Sequence, residues 1–151
     1  LCDSKRQEFI LLSDTLGVSM LVDSINHRLS TKATPTTVTG PFHIEHSPEI
    51  ENGKSMSGDA PGIPCFVQGK VMDFDGKPVG NVLLGIWQTD GEGLYEAQVE
   101  GAEGYMRGIY HSKPDGTYLI QTVAPIGYTI PLDGTVGGVR PVVFATSTAS
   151  M

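Results

Sequence analysis

Asp-Gly turns punctuate the second half of this chain and confine it to short strands. Asp75-Gly76 closes an apolar run at residues 65–72, and Pro114-Asp115-Gly116 separates a run at 106–111 from another at 118–123. Between these turns, residues 82–87 are nearly unbroken apolar sequence. Gly takes positive φ at no steric cost and Asp hydrogen-bonds its own backbone two residues on, so both favour tight reversals. Short strands joined in this way build a β-sandwich or a barrel. The 19 glycines and 10 prolines cluster after residue 34, which sets a turn-rich, all-β body apart from a different N-terminal piece.

That piece has a helical period. Over residues 5–29, Phe9, Leu12, Leu16 and Met20 recur at spacings of three and four, with Val18, Leu21, Val22 and Ile25 widening the stripe. The helix is expected to pack through Phe9, Leu12, Leu16 and Met20. Gly17 interrupts the pattern at a cost of roughly 1 kcal/mol against Ala, so two helices meeting there are expected. A Thr-rich stretch carrying Pro35 follows as a linker.

With 151 residues the chain can bury one core. A net charge of −7 argues against nucleic-acid partners or a basic membrane surface, and no apolar run approaches the roughly 18 residues of a membrane span. Cys2 and Cys65 are too few for a disulfide framework, which points to a reducing, cytoplasmic setting; a single Cys2–Cys65 bridge is the alternative. The chain starts with Leu and runs almost at once into the helical pattern, without the regions of a secretory signal. Its N-terminus therefore reads as that of a fragment.

Several motifs occur in register. Val67-x-Gly69-x-Val71, Gly76, Val79, Leu84 and Ile86 precede Gly93-Leu94-Tyr95. Leu11-Leu12-Ser13-Asp14, Val38-Thr39-Gly40-Pro41-Phe42 and Asp115-Gly116-Thr117-Tyr118 flank them, and Gly127-Tyr128-Thr129-Ile130-Pro131 runs on to Asp133-Gly134. Together they resemble the intradiol ring-cleaving aromatic dioxygenases, in their hydroxyquinol and fungal catechol branch, from about residue 6 to Gly137. Two departures stand out: Gly85, where that family usually has a carboxylate, and Thr39 in the loop.

The resemblance implies a mainly β, prealbumin-like β-sandwich with an N-terminal helical segment. It implies a helical dimerisation segment over residues 1–30, a linker loop over 31–64, a partial sandwich over 65–137 and a divergent tail over 138–151. It further implies non-haem Fe(III) held by two tyrosinates and two histidines, with Tyr95 and Tyr128 at the tyrosinate positions. Phenolate oxygen suits a hard, highly charged ion, which depresses the phenol pKa. In the family one tyrosinate leaves as a catechol-type diol chelates, the metal acts as Lewis acid and template, and both atoms of O₂ enter a ring-opened diacid. Leu11, Asp14, Val38, Gly40, Pro41, Phe42, Ile130 and Pro131 match its substrate pocket, and Leu11 and Asp14 share one helical face. Pocket similarity leans to hydroxyquinol over catechol. The implied partners are the diol, O₂ and a second copy docked through the N-terminal helices.

The family's remaining ligands come as Arg-Pro-x-His-x-His. Here Arg140-Pro141 comes sooner after Tyr128, Val143 and Ala145 fall where the histidines belong, and no His follows His111. The tail is expected not to be homologous, as an altered splice or reading frame would produce. The chain as it stands is expected to be incomplete and inactive, with the later strands lost and a sheet edge left open. Tyr105, Tyr110 and Tyr118 read as packing residues, His27 and His111 as surface or turn residues, and His43-x-x-His46 as linker. Two alternatives stand beside the enzyme: a non-catalytic relative that keeps the fold and dimer contact, and a prealbumin-like β-sandwich binding module. The module does not explain Leu11-Leu12-Ser13-Asp14, Gly40-Pro41-Phe42 or Tyr128-x-Ile130-Pro131.

Overall fold

The computed structural model describes residues 2, 7–28, 32–130 and 133–137. These fall into two compact units, one within Leu1–His43 and Thr129–Ala145, the other within Ile44–Tyr128. The tail from residue 138 and its Arg140-Pro141 lie outside the described residues. No described helix is long and apolar enough to cross a membrane.

In the first unit, α1 (Glu8–Thr15) and α2 (Val18–Asn26) meet at Gly17. Gly17 has φ +74 and opens α2 in the left-handed region, where a residue without Cβ is at ease. Its N–H still bonds Asp14 O at 3.0 Å while its own carbonyl accepts from Leu21 N–H at 3.0 Å, so the chain leaves one helix and enters the next within a turn. The Ser13 and Ser19 hydroxyls pair across the junction at 2.7 Å.

The expected packing of the stripe is corrected by the structure. Phe9 is 73% exposed and Leu16 62%, while the buried residues of the two helices are Glu8 and Asp23. Glu8 Oε2 accepts the Thr135 N–H at 3.1 Å, and its carboxylate lies where a Cβ on Gly134 would stand. Asp23 accepts from Thr36 Oγ1 and pairs with His27 Nδ1 at 2.9 Å. The Thr36 hydrogen bond, with His27 beside it, holds the Asp23 carboxyl below its ordinary range. Carboxylates thus anchor the helices to their own unit. An apolar period reports that a face is greasy; it does not say what covers that face.

In the second unit, β1 (Pro64–Lys70) pairs antiparallel with β4 (Thr117–Val123), and β2 (Leu83–Trp87) pairs antiparallel with β3 (Arg107–His111). All four strands stand where the sequence put them. The Asp73 turn works as expected: Asp73 Oδ1 accepts the N–H groups of Asp75 and Lys77, each at 2.9 Å. The two sheets close on Met56, Met106, Tyr110, Ile120 and Val123, with Leu84, Ile86, Tyr105 and Tyr118 packed around them.

Side-chain amides join the sheets. Ile50 N–H bonds Ile109 O of β3 and Ile109 N–H bonds Pro48 O, each at 2.8 Å, while Met56 N–H bonds Gln121 O of β4 at 3.0 Å, so residues 48–56 run along both sheets. Within that segment Asn52 donates from Nδ2 to His111 O at 2.8 Å and accepts the Leu119 N–H at 3.1 Å. Gln88 makes a second clasp, donating to Val123 O at 2.8 Å and accepting from Thr122 Oγ1 at 3.0 Å. Replacing Asn52 by Ala leaves Leu119 N–H and His111 O without these partners and is expected to cost about 1–3 kcal/mol. Urea unfolding measures it; an unchanged midpoint would show that the clasp adds nothing.

Candidate metal centre

The site begins in the loop that follows β2. Asp90 is 2% exposed, a burial that a carboxylate tolerates only when fully bonded. Its Oδ1 accepts the N–H groups of Glu92 and Leu94 at 2.8 and 2.9 Å, and its Oδ2 accepts the Tyr105 hydroxyl at 2.8 Å. Burial pushes the Asp90 carboxyl up, but the bonds from Leu94, Tyr105 and Glu92 outweigh it, and the group lies below its ordinary range. The Tyr105 phenol is pushed up to about 12, by burial and then by Asp90. Tyr105 both packs against the core and tethers this loop, a role beyond the packing expected of it.

The loop delivers Tyr95 in an extended conformation at the head of the short 3-10 helix Glu96–Gln98. Tyr95 N–H donates to Gln98 Oε1 at 3.0 Å. On its other side, Glu96 meets Arg107 of β3: Nη2 donates to Oε1 at 3.0 Å and Nε to Oε2. Arg107 is 6% exposed and also donates to Ser47 Oγ at 3.3 Å. A two-pronged guanidinium–carboxylate pair fixes orientation as well as distance, and Arg107 holds the Glu96 carboxyl below the usual carboxylate range.

Tyr95 and Tyr128 come together. Their rings stand edge to face, with centroids 5.2 Å apart and planes at 81°. Gly93 makes the approach possible. It has φ +83, and a Cβ there would stand 3.1 Å from Gly127 O and 3.5 Å from Tyr128 Cβ. Burial raises the Tyr95 phenol far above its ordinary value, and the neighbouring Tyr128 raises it further. A strong cation beside these phenol oxygens would favour their ionised form.

The remaining site residues that the sequence singled out are placed unevenly. In the first unit, Leu11 and Asp14 lie on α1, and Gly40, φ +79, sits so that a Cβ would be 3.7 Å from Asp14 Oδ2. Asp14 Oδ1 is buried and has no hydrogen-bond partner among the described residues. Val38 is 38% exposed, and Pro41, Phe42 and Ile130 are half-buried. Pro131 lies outside the described residues. His46 is 94% exposed in its side chain. His111 ends β3, where it pairs with Leu83; its side chain is 37% exposed, and its Nε2 lies 3.7 Å from Glu49 Oε2. Both cysteines are free thiols. Among the described residues no group of three or more His, Cys, Asp or Glu is placed to hold a metal ion. Sequence reasoning missed Asp90, Glu96, Tyr105 and Arg107; its one available signal was Asp90-Gly91, a further Asp-Gly dipeptide, just ahead of Gly93-Leu94-Tyr95.

Comparison with known proteins agrees with this geometry. The family model described as Dioxygenase matches residues 38–146, and that described as Catechol dioxygenase N terminus matches residues 1–34. The chain belongs to the intradiol dioxygenase family. It is 44% identical over 138 residues to a 6-chlorohydroxyquinol 1,2-dioxygenase of Cupriavidus pinatubonensis, covering 91% of this chain and 50% of that protein. A hydroxyquinol 1,2-dioxygenase of Rhizobium sp. is 42% identical over 139 residues, with 91% and 47% covered. The crystal structure of hydroxyquinol 1,2-dioxygenase from Pseudomonas putida DLL-E4 superposes with a TM-score of 0.83 at 52% identity, over 91% of this chain and 49% of that one. The chain spans about half the length of the curated relatives it matches.

Proposed function

We propose that the protein cleaves a catechol-type diol, hydroxyquinol or catechol, between its hydroxylated carbons with O₂ at a non-haem Fe(III) centre. The observation that carries this reading is the convergence of Tyr95 and Tyr128. Their donor chemistry fits a ferric ion as half of a four-ligand set: two hard oxygens side by side, of which burial holds Tyr95 in its neutral form until a cation is near. Tyr95 and Tyr128 would hold the ion, and two imidazoles would have to complete the set. When bound, Fe(III) supplies Lewis acidity and a template that makes the diol reactive toward O₂.

The chain's own groups divide the remaining work. Tyr128, 37% exposed, has the room to swing away, and its phenolate oxygen would take up a diol proton and become a neutral phenol, while half-buried Tyr95 stays braced. Leu11, Asp14, Val38, Gly40, Pro41, Phe42, Ile130 and Pro131 are assigned to the substrate by the family resemblance. For Asp14 a further observation supports the reading: its buried Oδ1 has no hydrogen-bond partner among the described residues, which suits a diol hydroxyl. The relatives named for hydroxyquinols favour hydroxyquinol over catechol. The exposed apolar residues Phe9, Leu16, Leu21, Val22 and Ile25 support a homodimer formed through the helices, and free thiols accord with a cytoplasmic setting.

The test uses the chain continued through the family's histidine ligands and loaded with Fe(III), incubated with hydroxyquinol or catechol under ¹⁸O₂. A ring-opened diacid carrying both labelled atoms is expected, faster from hydroxyquinol. Iron loading without any ring-opened product from either diol would sink the reading.

A further inference from the structure

We propose that Asp90 is a positioning residue: its carboxylate, pinned by Tyr105, holds the loop at residues 90–95 so that the Tyr95 phenol meets Tyr128 before any ion binds. The proposal deepens the metal-centre reading and rests on it for what the tyrosine pair is for. Its geometry stands apart from that reading.

The loop carries Gly91 and Gly93, the residues with the greatest backbone freedom, immediately ahead of the side chain whose position matters most. Something must remove that freedom. Asp90 does so from inside the turn. Its Oδ1 collects the N–H groups of Glu92 and Leu94, its carbonyl accepts the Gly93 N–H at 3.2 Å, and its main-chain N–H bonds Leu94 O at 3.0 Å, so the loop is closed from both directions. The Tyr105 hydroxyl on Oδ2 then prevents the carboxylate from rotating away. With the loop closed, Gly93 takes its left-handed conformation against Gly127 and Tyr128, and the next side chain but one is Tyr95. Asp90 touches neither phenol. It acts through backbone, and the distance between the rings is the quantity it should control.

That gives a test with no iron in it. In isotope-labelled protein of this sequence, a ring–ring nuclear Overhauser effect links Tyr95 and Tyr128, assigned through Tyr95→Phe and Tyr128→Phe. Asp90→Ala is expected to lose that cross-peak while the backbone amide spectrum of β1 and β4 stays as in the wild type. Asp90→Asn keeps an oxygen for the two N–H groups and an amide for the Tyr105 oxygen, so it is expected to retain the cross-peak. A general loss of stability would not separate these two variants in this way. Full cross-peak intensity in Asp90→Ala overturns the proposal, as does its loss in Asp90→Asn. Should Asp90→Ala fail to fold, Tyr105→Phe decides: a weakened cross-peak with an intact amide spectrum supports the proposal, and an unchanged one overturns it. If the wild-type pair is seen but the iron-loaded, continued chain opens no diol, the enzymatic reading fails and the positioning role of Asp90 stands.

Discussion

Fe(III) added to a polypeptide of these 151 residues is expected to leave it colourless, and no oxygen uptake is expected with catechol. On the proposed reading two phenols supply half of a four-ligand set, and water in the other positions would compete for the ion and favour its loss. Continuing the chain through an Arg-Pro-x-His-x-His segment is expected to restore a visible tyrosinate-to-iron absorption and oxygen consumption. In that continued chain, Tyr95→Phe or Tyr128→Phe should abolish or shift the visible band, with the fold unchanged by circular dichroism. The loss of iron affinity should exceed the roughly 10–100-fold that outer-shell substitutions cost a metal site, because a direct ligand is gone. Stoichiometric Fe(III) and catechol-dependent oxygen uptake in the 151-residue polypeptide would defeat this account, and His43 and His46 would become the first residues to replace.

The largest stability effect is expected at Arg107. Replacing it by Ala strands the Glu96 carboxylate in a buried place and should cost about 3–5 kcal/mol, a large share of the 5–15 kcal/mol of a typical domain. Chemical denaturation measures this, and a loss below about 1 kcal/mol would mean the pair behaves as a surface ion pair. The pair also sets a pH dependence. Because Arg107 lowers the folded-state pKa of Glu96, the stabilisation is present above the unfolded carboxylate value and is lost as pH falls through the depressed folded value. Arg107→Ala should therefore flatten the acid limb of the stability profile.

What the sequence disclosed, and what it hid, follow from the range of the forces involved. Strands and turns were legible because Asp73, Asp115 and the glycines beside them act within a few residues. The break at Gly17 was legible for the same reason. Tyr95 and Tyr128 were singled out only through the family resemblance, since each alone reads as a packing residue. The fate of the apolar helix stripe was not legible, because the burial of Glu8 and Asp23 depends on Thr135 and Thr36, distant in sequence. Residues 48–56 were read as part of a linker because pairing through Glu49 and Ser55 as isolated bridges leaves no alternating pattern. The Asp90–Tyr105 and Glu96–Arg107 contacts span loops of ordinary composition and leave no periodic trace at all.

The pairing of β1 with β4 carries a kinetic consequence. Pro64 is opposite Val123, so the partner of β1 comes only after β2 and β3 have been made. Loop closure over that span must precede the reward, and topologies of this kind fold on the order of milliseconds to seconds. During synthesis β1 therefore leaves the ribosome with its hydrogen-bonding edge vacant for as long as the chain takes to reach Thr117. In that interval the β4 of a second nascent copy can fill the edge as well as its own, so the yield of correctly closed monomer should fall as the density of growing chains rises.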